Sequence, residues 1–414
     1  MAVIYPFLKN AFLKAKQLTI LELLLVAILI TLSIGSFLIN SISVILFVLA
    51  TFYYFQKHPR KTNFTLIAKV LIGFYILFVI SLFWTTNIEN TKSGLLSFLS
   101  YLALPLAFSL VSKNKININK VFSVFSNLLV LCAIYCIFMG ALKVLKTGNY
   151  NYLFYHELCS NLSILNAIYL SVFVSFGISF LIYKQKKSKL DVFNLTVLAL
   201  FLILLSSKII ITITLISGVF YLIRKRKFHK VNLKSFLLLI VIISIFIAAS
   251  SNLTNRIKVE FNKTKINEVL QTKDFGHAYI WTGFGLRVFQ AKMFLEVIQE
   301  NKNTFLGSGL FNSQDTLIKK YKEYNLYPGF YHYNYHNQYI QVYAELGVIG
   351  LCMLLLIFIL TIKQAIIYKD YFLLSFIILI LVVCLTESFL WRQRGMVFFI
   401  TTLLLLTRRK RLDI

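Results

Sequence analysis

The sequence predicts an all-α fold, a polytopic integral membrane helical bundle of about 12 transmembrane helices with one long, partly helical periplasmic loop. Three observations predict it. First, 58% of the 414 residues are hydrophobic and only 14% are charged, with a mean hydropathy of +0.77. A soluble domain of this size has no interior large enough for that much apolar surface, so its solvent must largely be lipid. Second, the apolar residues come in runs of roughly helix-spanning length, without the alternation of a barrel strand. Third, positive charge is distributed unevenly between successive connections.

The apolar runs fall at 18–37, 38–55, 66–84, 94–112, 121–142, 162–183, 192–206, 208–223, 236–250, 343–362, 371–389 and 395–407. The first is too long for a signal-peptide core and lacks a clear small-residue cleavage site, so it is expected to stay as a span. With the N-terminus inside, the inner connections hold 25 Lys and Arg, whereas the short outer loops hold 6. That asymmetry places both termini in the cytoplasm. It also explains the net charge of +28 without nucleic acid. Runs such as Arg224-Lys225-Arg226-Lys227 and Arg408-Arg409-Lys410-Arg411 read as topological anchors beside anionic lipid. Lys69 and Glu22, near inner helix ends, are expected to snorkel to the cytoplasm. Cys132, Cys136, Cys352 and Cys384 lie in apolar runs and Cys159 in an outer loop, which gives no disulfide framework. The expected organisation is an N-terminal bundle of about nine helices over 1–250, a large outer loop over 251–342 and about three C-terminal spans over 343–414.

A connection as long as 251–342 usually carries function or structure of its own. Within it, "GFGLRVFQAKMFLEVIQEN" sets Lys292, Glu296 and Gln299 on one helical face. Arg287 stacks instead above Ala291, Phe294 and Ile298. An arginine on an apolar face is costly unless paired. It either reaches a lipid phosphate or a buried carboxylate, or its planar fork is aimed at a bound phosphate group. Spacing alone leaves both open. Lys208, between two apolar runs on the outer side, either caps a helix turn or offers a point charge to an anion. The stretch 324–343 is dense in tyrosine, which suits a membrane interface and also a wet sugar cleft. A helix beginning near His336 puts Ile340, Tyr343, Gly347 and Gly350 on one face, with the glycines admitting a neighbouring helix. Gln338, Gln341 and Glu345 fall on another face. His336 is either solvated or a base, the role imidazole fills most easily near neutral pH.

Two segments, "HNQYIQVYAELGVIG" and the upstream "GLRVFQAKMFLEVIQENKNTFLGSG", resemble the bacterial O-antigen ligase and O-antigen polymerase superfamily. The family pattern of His-Asn, an aromatic or aliphatic pair, Glu and two spaced glycines is met by His336, Asn337, Tyr339, Ile340, Glu345, Gly347 and Gly350. The upstream arginine is met by Arg287, and the Gly-x-Gly before an aromatic by Gly307, Gly309 and Phe311. Two departures stand out. Lys208 occupies a place where ligases of this family often carry arginine, and Asn303-Thr304 replaces the usual proline. A lysine keeps the charge but loses bidentate phosphate recognition.

The resemblance implies a bacterial inner-membrane glycosyltransferase that moves a glycan from an undecaprenyl-pyrophosphate carrier to a hydroxyl of lipid A-core or a similar acceptor. It implies a periplasmic site, inversion at the sugar and no metal or other cofactor. The expected partners are the carrier-linked donor, the lipid A-core or glycan acceptor and membrane lipids, with no nucleic acid. The expected catalytic residues are His336 as base and Arg287. Arg287, Lys208 and Arg392 are expected to bind the pyrophosphate, and Asn337, Glu345 and Tyr339 to support the site. Glu345 is alternatively a structural partner of an arginine. Near the C-terminus, "TESFLWRQRG" adds Glu387, Arg392 and Arg394 at the outer mouth of the last spans. There is no Asp-x-Asp or metal-spaced His cluster, which disfavours metal-dependent use of nucleotide sugars. No Walker-type glycine loop argues for an ATP-driven pump. A polysaccharide polymerase is the alternative within the superfamily. A lipid-linked glycan transporter is disfavoured by sparse charges in the spans and no internal repeat.

Overall fold

The structure, a computed structural model, describes residues 18–59, 61–162, 166–224, 265–300 and 305–408. The expected span at 236–250, the first part of the outer loop and Asn303-Thr304 lie outside them. The described residues are helical, with no strand among them. In chain order the helices are α1 (Ile20–Ile34), α2 (Phe37–Lys57), α3 (Leu66–Ile80), α4 (Ile88–Ser97), α5 (Ser100–Leu110), α6 (Ile118–Thr147), α7 (Tyr155–Cys159), α8 (Ala167–Tyr183), α9 (Lys189–Leu204) and α10 (Lys208–Arg224). Further along the chain come α11 (Ile266–Gln271), α12 (Gly283–Glu300), α13 (Ser313–Glu323), α14 (Gln338–Ile367), α15 (Tyr371–Thr386) and α16 (Gln393–Arg408).

Among the described residues, five helices are long and apolar enough to cross a membrane: Phe37–Lys57, Leu66–Phe83, Ile88–Leu110, Ile118–Thr147 and Gln338–Ile367. Ile20–Ile34, Ala167–Tyr183 and Tyr371–Thr386 are apolar but shorter. The run expected at 94–112 is a helix pair that already starts at Ile88, and the one expected at 343–362 already starts at Gln338. In each case an asparagine N-cap sets the start, because Asn87 and Asn337 accept the first free backbone N–H groups.

Polar contacts tie the helix ends into two opposite faces. On one face, Asn63 N–H donates to Ser109 O, Asn117 N–H to Glu22 and Arg408 to Val111 O. On the other, Thr86 meets Ser308, Arg394 donates to Gly35 O and Gln393 donates to Ser41. Among the described residues, the connections at Lys57, Lys115 and Lys184 belong to the first face. Glu22 corrects the snorkelling expectation. It is buried at 3% exposure, completes a capping box with Thr19 and takes the Asn117 N–H at 2.6 Å. A buried carboxylate with backbone donors needs no route to water.

Two apolar cores follow. The larger runs through the bundle, where α8 and the C-terminal helix α16 are buried along most of their length. Small polar side chains cross-link it, as between Asn194 and Asn127 at 2.8 Å and between Ser175 and Thr214 at 2.6 Å. The smaller core belongs to α11–α13 and the segment before α14, with Phe289, Met293, Leu317, Tyr321 and Tyr335 fully buried. Its polar seam is the buried ammonium of Lys320, which reaches Glu300 at 2.5 Å, Glu323 at 3.0 Å and Glu296 at 3.5 Å. Burial alone would lower its pKa, but those carboxylates outweigh burial and raise it above the ordinary lysine value.

The two cores are stitched together at a break in α14. Gly347 has φ 61 and ψ −157, which only glycine adopts readily. The break frees backbone groups that lipid cannot satisfy. Instead Ser308 N–H donates to Ala344 O at 3.0 Å, Gly309 N–H to Glu345 O at 2.9 Å and Val348 N–H to Phe305 O at 3.2 Å. A Cβ on Gly347 would sit 2.0 Å from Phe305 O. The expectation that Gly347 and Gly350 admit a neighbouring helix is therefore corrected. What approaches Gly347 is the backbone of a loop segment, and a Cβ on Gly350 would meet Leu346 of its own helix.

Candidate active site

The stretch before α14 is held in one place by local geometry and by lacing to the end of α15. His336 has φ 46, a left-handed conformation that costs a non-glycine residue about 1–3 kcal/mol unless its surroundings impose it. Its N–H donates to Asn334 Oδ1 at 3.0 Å. The next residue, Asn337, caps α14 by accepting from Tyr339 N and Ile340 N. Its amide also donates to Leu385 O at 3.0 Å. Around it, Asn334 accepts from Ser388 Oγ, Gln338 accepts from Leu390 N at 2.7 Å and Tyr339 Oη donates to Leu381 O at 3.0 Å.

This lacing carries His336 to Glu387, 51 residues later. His336 Nδ1 lies 3.2 Å from Glu387 Oε2. Arg287, on the first turns of α12, lies beside the same oxygen, with Nη2 at 3.8 Å. Its Nε donates to Thr386 O and its Nη1 to Gly283 O, both at 2.8 Å. The carboxylate side chain is 8% exposed, whereas those of Arg287 and His336 are 30% and 23% exposed. One sunken anion thus anchors a guanidinium and an imidazole that both reach solvent. The 3.8 Å separation is longer than a hydrogen bond, so the two backbone carbonyls hold Arg287, charge pairs it with Glu387, and its other N–H donors stay available. Tyr333 packs edge-on against the imidazole, with ring centroids 5.3 Å apart.

Of the residues singled out from sequence, Arg287, His336 and Asn337 converge here and Tyr339 braces the same corner. Arg392 is exposed and follows the Phe389–Trp391 turn after Glu387. Lys208 is the half-buried first residue of α10, a helix that packs on α15. Ser217 on α10 meets Ser375 on α15, and the two helices run oppositely, so Lys208 lies at the same end of the bundle as Glu387. Glu345 is elsewhere. Its carboxylate is 1% exposed and accepts from Phe311 N, from Ser313 Oγ at 2.7 Å and from Gln341 Nε2 at 2.9 Å. Among the described residues no arginine pairs with it.

Glu387 is the member of this cluster that reasoning from sequence did not place beside Arg287 and His336. The signal was available, since a carboxylate at the end of an apolar span demands a partner. Nothing in the sequence, however, indicates that the partners lie 51 and 100 residues upstream.

Residues 193–355 match the family model described as O-Antigen ligase. The O-antigen ligase-like region runs from α9 past the break in α14. It contains Lys208, Arg287, His336, Asn337, Tyr339 and Glu345, and stops before Glu387 and Arg392. No curated protein matches the chain. The similarity to the O-antigen ligase family is confined to residues 193–355, and the helices around that segment include ones long and apolar enough to cross a membrane.

Proposed function

We propose that the chain is a membrane glycan transferase of the O-antigen ligase type, acting on the periplasmic side of a bacterial inner membrane. It transfers a polysaccharide from an undecaprenyl-pyrophosphate carrier to a hydroxyl of lipid A-core or a similar acceptor. The observation that carries the reading is the shared Glu387 oxygen, which sets a cation and an imidazole side by side at the less basic face.

The chemistry follows from that pairing. With Nδ1–H donated to Glu387, the His336 Nε2 lone pair faces outward as a base. It takes the acceptor hydroxyl proton as that oxygen attacks the anomeric carbon. The carbon–oxygen bond to the pyrophosphate breaks, and the carrier leaves with the electron pair. Glu387 steadies the imidazolium that forms, acting as a positioning residue. Arg287 receives the growing phosphate charge, with Lys208 and Arg392 as further cations on the same face. Departure of an already good leaving group needs cations and a base, and no metal is invoked. Asn337 and Tyr339 hold the imidazole in register.

A polymerase that extends the glycan on its carrier shares the donor and the site. Purified protein in vesicles with defined carrier-linked donor separates the two. Transfer to core lipid supports the ligase, and transfer to a second carrier-linked glycan supports the polymerase. Full transfer by correctly inserted His336→Ala and Arg287→Ala variants would refute the site.

A further inference from the structure

We propose that a cleft at the basic end of the bundle binds the phosphate head group of an anionic phospholipid. The cleft lies between the first turn of α6, the last turn of α8 and the first turn of α15. It has a volume of about 220 Å³ and is lined by Asn119, Phe180, Tyr183, Lys184, Gln185, Lys186 and Phe372. It stands at the opposite end of the bundle from Glu387, and nothing in it depends on glycan transfer.

Its construction is that of a lipid seat. The floor is aromatic, since Phe180 and Phe372 are 3% and 1% exposed and their rings lie 6.0 Å apart. Tyr183 closes one wall, 5.8 Å from the Phe372 ring. The rim is polar and open to solvent, with Gln185 and Lys186 exposed. Lys184 is neutralised, because its ammonium bonds both oxygens of Asp191 at 2.6 and 2.7 Å. The surplus charge belongs to the neighbours. Lys187 lies 5.3 Å over the Tyr221 ring, which itself packs on Tyr183, and Arg224 lies 5.3 Å over Tyr371, next to Phe372. Among the described residues the other carboxylates at this end are Asp370, which caps α15 through Leu373 N, and Glu22, which accepts from Asn117 N at the start of α6. Lys186, Lys187 and Arg224 outnumber the two of them. Basic pockets between helices on the positively charged face of a membrane protein select anionic head groups. A free phosphate would satisfy the rim and leave the aromatic floor unused. A phosphodiester with its glycerol and first methylenes uses both.

The test uses the full chain in neutral detergent, with lipid retention read by native mass spectrometry and stability by thermal unfolding. Phosphatidylglycerol is expected to remain bound as one copy and to raise the midpoint, while phosphatidylcholine and inorganic phosphate do neither. The exposed-rim variant Lys186→Glu is expected to retain phosphatidylglycerol about tenfold more weakly. Lys319→Glu, an equal charge change on the exposed side of α13, serves as control and is expected to match the parent. The proposal is overturned if Lys186→Glu and Lys319→Glu retain the lipid equally, if phosphatidylcholine binds as well, or if inorganic phosphate alone gives the full stabilisation.

Discussion

Glu345 and Glu387 are both buried carboxylates at the same end of the bundle, at 1% and 6% exposure, and they serve opposite ends. Glu345 is surrounded by neutral donors on Phe311, Ser313 and Gln341, which seal it and fasten the loop of residues 305–313 to α14. Glu387 faces a guanidinium and an imidazole whose outer sides remain open to solvent. A neutral, closed shell makes a carboxylate a fastener. A charged, half-open shell suits the proposed site, because the partners can change protonation or exchange contacts while the anion stays fixed.

The comparison is broken most decisively at His336. His336→Ala is expected to lower transfer about 10²- to 10⁴-fold while membrane insertion and thermal midpoint hold, as fits loss of a general base. Normal turnover would remove the imidazole from the mechanism. Glu387→Gln comes next. It keeps shape and buries a neutral amide, so transfer is expected to fall roughly tenfold or more while Arg287 loses its counter-charge. A pH–rate profile displaced from that of the parent would separate positioning of the imidazole from a structural role.

On the fastener side, the reporters are stability measurements. Gly347→Ala is expected to destabilise by about 1–3 kcal/mol or more, since it adds left-handed strain to a direct collision with Phe305 O. A parental melting midpoint would show that the break is not required. Glu345→Gln keeps one acceptor oxygen but puts an amide NH2 group where the other oxygen faced a donor, at a cost of about 1–2 kcal/mol. The folded fraction should transfer glycan at nearly the parental rate, and a selective loss of turnover would move Glu345 into the site. Tyr339→Phe removes one hydrogen bond to Leu381 O, a loss of about 1 kcal/mol, with turnover falling at most a few-fold as the imidazole loosens.

Local features were legible in the sequence. Among the described residues the apolar runs matched helices, and the helix expected to begin near His336 is α14, which starts at Gln338. What was not legible is what depends on distant backbone. The break at Gly347 reads as an ordinary small-residue contact until the Phe305 carbonyl arrives beside it. The partner of Arg287 could be named only as a carboxylate or a phosphate, because α12 and the end of α15 are 100 residues apart. Glu22 looked like a snorkelling charge for the same reason, as its partner Asn117 N–H belongs to another helix.

The interrupted helix also constrains the order in which the protein can mature. Residues 305–309 leave the ribosome before residues 338–367, so the segment that fills the gap already exists when the gap is made. Until the two meet, α14 carries polar backbone that hydrocarbon will not accept, and a newly inserted chain is incomplete until the loop docks. The same seam, at Gly347 on α14, lies 11 residues from His336, so docking of the loop and placement of the imidazole draw on one stretch of backbone.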